Sequence, residues 1–295
     1  MNAEQPPSDA RQIGRRIRLI ENIYRFPYWF LGLTLIAVLV ILLIAQNQTY
    51  SNIFNQLVEG IIVTLRVSIQ AYFAAFFIGL IIGLIRAFPP RAPVGRKTGF
   101  MAHLRAGIRV IAYNLGTMYV EIMRGLPILI TLLITAFVLF PLIRDNILEP
   151  LLGIQIDVRG GSEFPAIFAL SLTYGAFMSE TFRAGIQSIE RGQWEAGQSL
   201  GMTGWQTIRF IILPQAIRRV LPPLGNDFIA MIKDSSLVSV LGIRDVTQIA
   251  RVSSGRSFRY LETYLIVAVI YLTMTILGSM LVKGMERYLR RSARR

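Results

Sequence analysis

No cysteine occurs among the 295 residues, and the chain has one histidine, His103. Disulfides, thiolate metal sites and cysteine nucleophiles are thereby excluded, and almost nothing remains to hold zinc or haem. A membrane enzyme built on a nucleophile–base pair or a metal cluster has no material to work with. Charge is also scarce: 16% of residues are charged and 53% hydrophobic, too oily a balance for a water-soluble domain of this length. Acidic residues are the rarer sign, 17 against 31 Lys and Arg, which leaves a net charge of +14. The basic residues lie in short clusters beside apolar runs, with little aromatic interleaving. This pattern marks membrane-flanking loops and argues against nucleic acid as a partner. No G-x-x-x-x-G-K-[ST] phosphate loop is present, so ATP hydrolysis is not expected of this chain.

What is present is hydrocarbon-length sequence. A bilayer core of about 30 Å takes roughly 20 mainly apolar helical residues, and six such runs occur. Residues 28–46 are uncharged, and 61–85 carry only Arg66 near one end, where a long side chain snorkels to the headgroups. Residues 118–142 are interrupted by Glu121, Arg124 and Pro127, and 164–187 end in Glu180 and Arg183. The fifth, 222–242, contains Asn226, Asp227, Lys233 and Asp234, whereas 261–282 are apolar apart from Glu262 at the edge. The reading is an all-α, multi-pass integral membrane protein. Residues 1–27 are basic and polar, and no small-residue cleavage site follows the first run, so that run reads as an uncleaved helix.

With the amino terminus inside, the inside segments hold 21 Lys and Arg and the outside segments 6. Both termini are therefore expected in the cytoplasm. Arg244, Arg251, Arg256 and Arg259 fall in an outside segment and break the rule locally. Pro89, Pro90 and Pro93 mark an irregular cytoplasmic linker, and His103 is expected to be solvated in a basic loop. Gly79 and Gly83 form a small-x-x-x-small step suited to close helix contact. The outside stretch 143–163 mixes acidic and basic residues, fit for a partner protein or for plain solvation.

Ionisable groups inside spans are costly and need a partner or a task. Glu121 and Arg124, and likewise Glu180 and Arg183, are three apart and share a helix face near the cytoplasmic edge. They read either as salt bridges that hold helices in register or as an inner gate. On the fifth span, Asn226 and Asp227 suit an ammonium, while Lys233, Ser235 and Ser236 suit a carboxylate, as a zwitterionic solute requires. The alternative there is mutual neutralisation of Lys233 and Asp234, with the serines merely packing.

The segment 189–221 carries helix punctuation. Gln193–Leu200 continues a helix, Gly201 suits a left-handed cap, and Thr203 with Gln206 spells a capping box for a second helix bent by Pro214. A helix resting on the headgroups and a knob for a cytoplasmic partner both fit this pattern. The spacing Glu195-Ala196-Gly197, three residues, Gly201, nine residues, Ile211, one residue, Leu213-Pro214 resembles the EAA loop of binding-protein-dependent ABC importer permeases. Gly197 stands where the second alanine is usual, and local loosening is expected from its lower helix propensity. The stretches Tyr119–Pro127, Tyr174–Gln193 and Leu213–Ser239 are similar to the polar amino-acid, or histidine and glutamine permease, branch. The resemblance covers about 55–285.

It implies a type I ABC importer transmembrane fold, a five-span core at 55–285 with one extra span at 28–46. Basic cytoplasmic tails would lie at 1–27 and 286–295. The expected partners are a dimer of ATP-binding cassette ATPases, a second permease subunit of the same or a sibling sequence, and an extracytoplasmic solute-binding protein. The chain itself would bind no cofactor, ATP and Mg being used by the ATPase. Glu195, Ala196, Gly197, Gly201, Ile211, Leu213 and Pro214, within 193–214, would couple to that ATPase. A polar amino acid would cross the plasma (inner) membrane of a prokaryote. The rival is an ion-coupled secondary carrier, which has no need of the helix-turn-helix and would more often show an internal repeat.

Overall fold

In the computed structural model, residues 28–90, 99–153 and 162–292 are described. The tail 1–27, Pro93 with its basic neighbours, and residues 154–161 lie outside the described residues. Contacts divide the chain into Met1–Ser51 and Asn52–Arg295. Helix α1, Tyr28–Gln46, is the apolar element of the first unit. Helix α2, Gln48–Ala87, begins there and supplies the first long helix of the second unit.

The remaining elements are helical. They are α3 (Phe100–Gly125), the composite α4 (Ile128–Ile134, Phe140–Ile143 and Glu149–Leu152 joined by π turns), α5 (Phe164–Gln187) and α6 (Arg191–Ser199). Next comes α7, which runs from Gly204–Thr207 through a π turn into Leu213–Asp234 and ends in the 3-10 turn Ser235–Leu241. The chain closes with α8 (Val246–Ser257) and α9 (Tyr260–Ser292). Helix α9 thus continues through most of the stretch expected to be a tail. Three of these helical stretches are long and apolar enough to cross a membrane by length and composition: Gln48–Ala87, Ile128–Leu151 and Tyr260–Arg287.

The third expected span, 118–142, is corrected. Leu126 is extended (φ −101°, ψ 149°) because the ring of Pro127 disfavours a helical residue before it. Residues 118–125 end α3, and the apolar crossing begins at Ile128. Helix α3 also takes in the later part of the supposed basic loop, from Phe100 onward, and His103 sits, exposed, within it. Arg66 does not snorkel alone: its Nη2 lies 2.6 Å from Oε1 of Glu163 at the start of α5.

Each π turn has the same sequence cause. Thr135–Leu139, Arg144–Leu148 and Ile208–Ile212 all end two residues before a proline, namely Pro141, Pro150 and Pro214. Proline inside a helix lacks an N–H and crowds the carbonyl four residues back. Widening the preceding turn moves that carbonyl aside while the chain stays helical.

Helix α5 is the centre of the second unit. Ala166, Ala169, Leu170, Tyr174, Ala176 and Met178 are buried, as befits a helix apolar on most sides. Gly79 and Gly83 of α2 press directly on it: a Cβ on Gly79 would stand 2.7 Å from Cβ of Met178, and one on Gly83 2.7 Å from Cβ of Phe182. Hydroxyls tie the seams. Tyr72 donates to the Leu224 carbonyl (3.0 Å) and Tyr119 to that of Leu172, while Ser171 donates to Ile167 O on its own helix (2.5 Å) and lies 3.3 Å from the Ala71 carbonyl. Such bonds add on average about 0.6 kcal/mol each in a membrane setting.

A further joint links α2, α8 and α9. Asp245 is fully buried, caps α8 by accepting from the Gln248 amide (2.8 Å), and receives the Tyr271 hydroxyl (3.3 Å). The Val246 amide donates to Thr64 Oγ1 (3.3 Å), and Gly60 allows the approach, since a Cβ there would stand 2.6 Å from that same amide nitrogen. Burial pushes the Asp245 carboxyl up from 3.8 to about 6. A carboxyl raised on folding contributes stability that is fully present below its unfolded value and lost as pH rises through the folded one. The unfolding midpoint of the detergent-solubilised protein should therefore rise between pH 7 and pH 5, by on the order of 2–4 °C. Asp245→Asn, which keeps the cap, should reduce that rise; an unchanged slope in the variant would assign the titration elsewhere.

Candidate functional site: the capped helix-turn-helix and the polar face behind it

Helix α6 ends in a Schellman turn. Gly201 takes φ +74°, its amide donates to Gln198 O (2.9 Å), and the Met202 amide donates to Gly197 O (3.1 Å). Both bonds satisfy carbonyls that the helix end would orphan, in a geometry that glycine enters without Cβ strain. Thr203 and Gln206 then form the reciprocal capping box that opens α7 (3.3 and 2.8 Å). Beneath the turn, Ile189, Ile212 and Ala216 make a small core, packed by Ile186, Trp194 and Ile211. Gln215 donates to Gln193 Oε1 (3.2 Å) and Arg219 to the Ser188 carbonyl.

The loosening expected at Gly197 is corrected. Gly197 is buried, and a Cβ there would stand 2.7 Å from Cγ2 and 2.8 Å from Oγ1 of Thr207, which is itself held by its bond to Thr203 O (3.1 Å). Missing bulk lets α6 close on α7. Glu195, Ala196, Leu200 and Gly201 lie on the outside, and Trp205, Phe210 and Leu213 add an exposed apolar rim. Glu195 pairs with Arg191 one turn earlier (3.0 Å), a solvated contact that costs little to exchange. Of the coupling candidates, Ile211 faces the small core and Pro214 follows the π turn.

The intramembrane charges are arranged differently from their spacing. Glu180 accepts three guanidiniums: Arg183 on its own helix (Nε 3.0 Å), Arg86 of α2 (3.1 Å) and Arg124 of α3 (3.9 Å). The Glu121–Arg124 couple is not formed among the described residues. Glu121 is exposed, while Arg124 reaches Glu180 and lies 5.8 Å over the Phe177 ring. In the sequence Arg86 reads only as one of the 21 basic residues of the inside segments. Its signal was its position in the last turn of a long apolar helix, where a buried face demands a partner acid.

The fifth-span set divides into two faces. Asp227 and Asp234 turn inward: Thr181 faces Asp227, and Tyr174 donates to Asp234 (2.6 Å). One Asp227 oxygen, Oδ2, is buried without a hydrogen-bond partner. Asn226 and Lys233, two turns apart, are exposed together with Pro223 and Val240. Ser235 is buried and bonded to the Ile232 carbonyl (2.7 Å), and Ser236 is half-buried. Lys233 and Asp234 form no ion pair among the described residues, because they point to opposite sides.

Helices seamed by glycine and hydroxyl contacts, with a capped helix-turn-helix leading into a polar-lined helix, define an all-helical membrane protein across the described residues. Residues 98–295 match the model of the binding-protein-dependent transport system inner membrane component family, and the chain belongs to that family. It is a permease subunit of an ABC importer, and ATP hydrolysis in such importers belongs to the partner ATPase. The chain is 35% identical over 177 residues to the glutamine transport system permease protein GlnP of Escherichia coli K12, covering 60% of this chain and 75% of that one. It is 39% identical over 178 residues to the probable glutamine ABC transporter permease protein GlnM of Bacillus subtilis 168, covering 60% and 76%. Among solved structures, an amino acid ABC transporter crystallised with histidines matches at a TM-score of 0.62 and 32% identity, over 81% of this chain and 95% of that one. The methionine transporter MetNI, inward facing, matches at 0.59 and 20% identity over 79% and 96%, which bears on the fold alone. An ion-coupled carrier gains no support from these relatives.

Gly197→Ala adds helix propensity worth up to about 1 kcal/mol but drives a methyl into Thr207, an overpacking cost of about 1–3 kcal/mol. The variant should lose protease protection across 190–215, and Thr207→Ser in the same chain should restore part of it. Greater protection in Gly197→Ala alone would show that the close approach is not limiting.

Proposed function

We propose that this chain conducts a polar amino acid through the inner membrane of a prokaryote. A second permease subunit would complete the channel, an extracytoplasmic binding protein would deliver the solute, and an ATPase dimer would dock on 193–214. The observation that carries the reading is the rigid, doubly capped helix-turn-helix with Glu195 and an apolar rim turned outward. A partner's basic side chain displaces Arg191 from Glu195 at little cost and gains a charge-assisted hydrogen bond. The names of the relatives, glutamine permeases and an amino acid transporter, support the solute class, and the excess of basic residues in the inner segments supports cytoplasmic termini. The domain reading is a 55–285 permease core with 28–46 as an added span and basic tails at 1–27 and 286–295.

Within that core, Asp227 with its unpartnered oxygen receives the solute ammonium. On the opposite, open face of α7, Asn226, Lys233 and Ser236 line the route, and Lys233 meets the solute carboxylate at a separate point of its passage. Ser235, bonded to its own backbone, acts by packing. Glu121, Arg124, Glu180 and Arg183 form the inner gate, with Glu180 as its hub.

ATP turnover by the purified permease, ATPase and binding protein should rise with one class of amino acid in a panel. Glu195→Ala and Gly201→Asp should each lower uptake about tenfold or more, the loss of one charge-assisted contact or of the turn that presents it, with membrane insertion intact. Asp227→Asn should raise the half-saturating solute concentration about tenfold. Wild-type uptake by both coupling variants removes the docking assignment, and unchanged affinity in Asp227→Asn for every amino acid tested removes the ammonium site.

A further inference from the structure

The hub at Glu180 is over-supplied with cation. One carboxylate faces Arg86, Arg124 and Arg183, so two positive charges stay uncompensated among the described residues. Glu121, one turn before Arg124, forms no ion pair among them. Arg86 is 7% exposed, and its Nε is buried with no hydrogen-bond partner. A single carboxylate shared by three clustered guanidiniums leaves the hub net positive, and an anion meeting the partly exposed Arg124 and Arg183 offsets that charge. The forked N–H donors of guanidinium match the paired oxygens of a phosphate, and Arg124 and Arg183 are only partly covered, leaving an approach from outside the chain.

We propose that Arg86, Arg124 and Arg183 bind the phosphodiester headgroup of an anionic phospholipid of the cytoplasmic leaflet. Arg86 and Arg124 occupy the last turns of α2 and α3, and Arg183 lies one turn from the end of α5. Basic pockets between helices at that depth receive anionic headgroups. Apolar surface for the acyl chains is present on the same helices: Ile81 and Ile85 of α2, with Phe88 just beyond its end, and Met118 and Ile122 of α3 are exposed. The leaflet assignment rests on the cytoplasmic orientation of those helix ends proposed above; the headgroup chemistry does not.

The test uses the permease co-purified with its ATPase and exchanged into nanodiscs of phosphatidylcholine with or without phosphatidylglycerol. Tightly retained lipid is counted by native mass spectrometry, a readout independent of transport. Wild type should retain phosphatidylglycerol in preference to phosphatidylcholine. Arg124→Gln and Arg183→Gln, which leave Arg86 on Glu180, should each lower that retention about fivefold, with unchanged elution and phosphatidylcholine binding. Equal phosphatidylglycerol retention by wild type and both variants overturns the proposal. Displacement of the lipid by millimolar inorganic phosphate would show a free-anion site, and displacement by glutamate a solute site; either result also overturns it. Transport can fail in these variants with lipid retention intact, which would implicate the gate and not the lipid.

Discussion

Close approach between helices is the constraint on which the second unit depends. A membrane offers little hydrophobic drive for helix association, so packing contacts and polar seams must hold the bundle. Here glycine makes the contacts possible on opposite sides of one helix. Gly79 and Gly83 bring α2 onto α5, and Gly175 of α5 receives Ile78 in return, a Cβ there standing 2.7 Å from Ile78 Cγ2. On the far side, Gly185 sits under Val220 of α7, and Gly225 of α7 under Val282 of α9. Tyrosine hydroxyls then bridge to carbonyls that lie within reach because the helices are so near.

The same economy governs the broken helices. Proline in three places would interrupt a helical run, yet the chain remains helical because the preceding turn widens. Pro222 and Pro223 sit inside α7 without such a turn, so the widening is a local solution and not a fixed response to proline. Polar groups follow suit: inward aspartates meet Tyr174 and Thr181, while outward Asn226 and Lys233 keep an open face.

Much of this was legible in the residues. The all-α membrane class follows from run lengths, and the turn at Gly201 with its capping box follows from residue types whose local hydrogen bonds decide the geometry. Contacts between distant segments were less readable. The Glu121–Arg124 spacing allows a pair on one helix, but Glu180 draws Arg124 away because it stands on a neighbouring helix that sequence spacing does not locate. Arg86 was hidden for the same reason, as was the meaning of Gly197, whose neighbour Thr207 lies across a turn. The span at 118–142 misled because apolar composition continues through the break at Leu126–Pro127, whereas the backbone does not.

The run from Gly204 to Leu241 has no loop anywhere along it. Its stretch Leu213–Asp234, 22 residues, is about 33 Å long at 1.5 Å per residue. A rocking of about 10° at the widened turn before Pro214 would sweep the far end by roughly 6 Å, more than the width of a single hydrated functional group. A small angular input at one end of this run is thereby geared into a larger displacement at the other, with no intervening coil to absorb it.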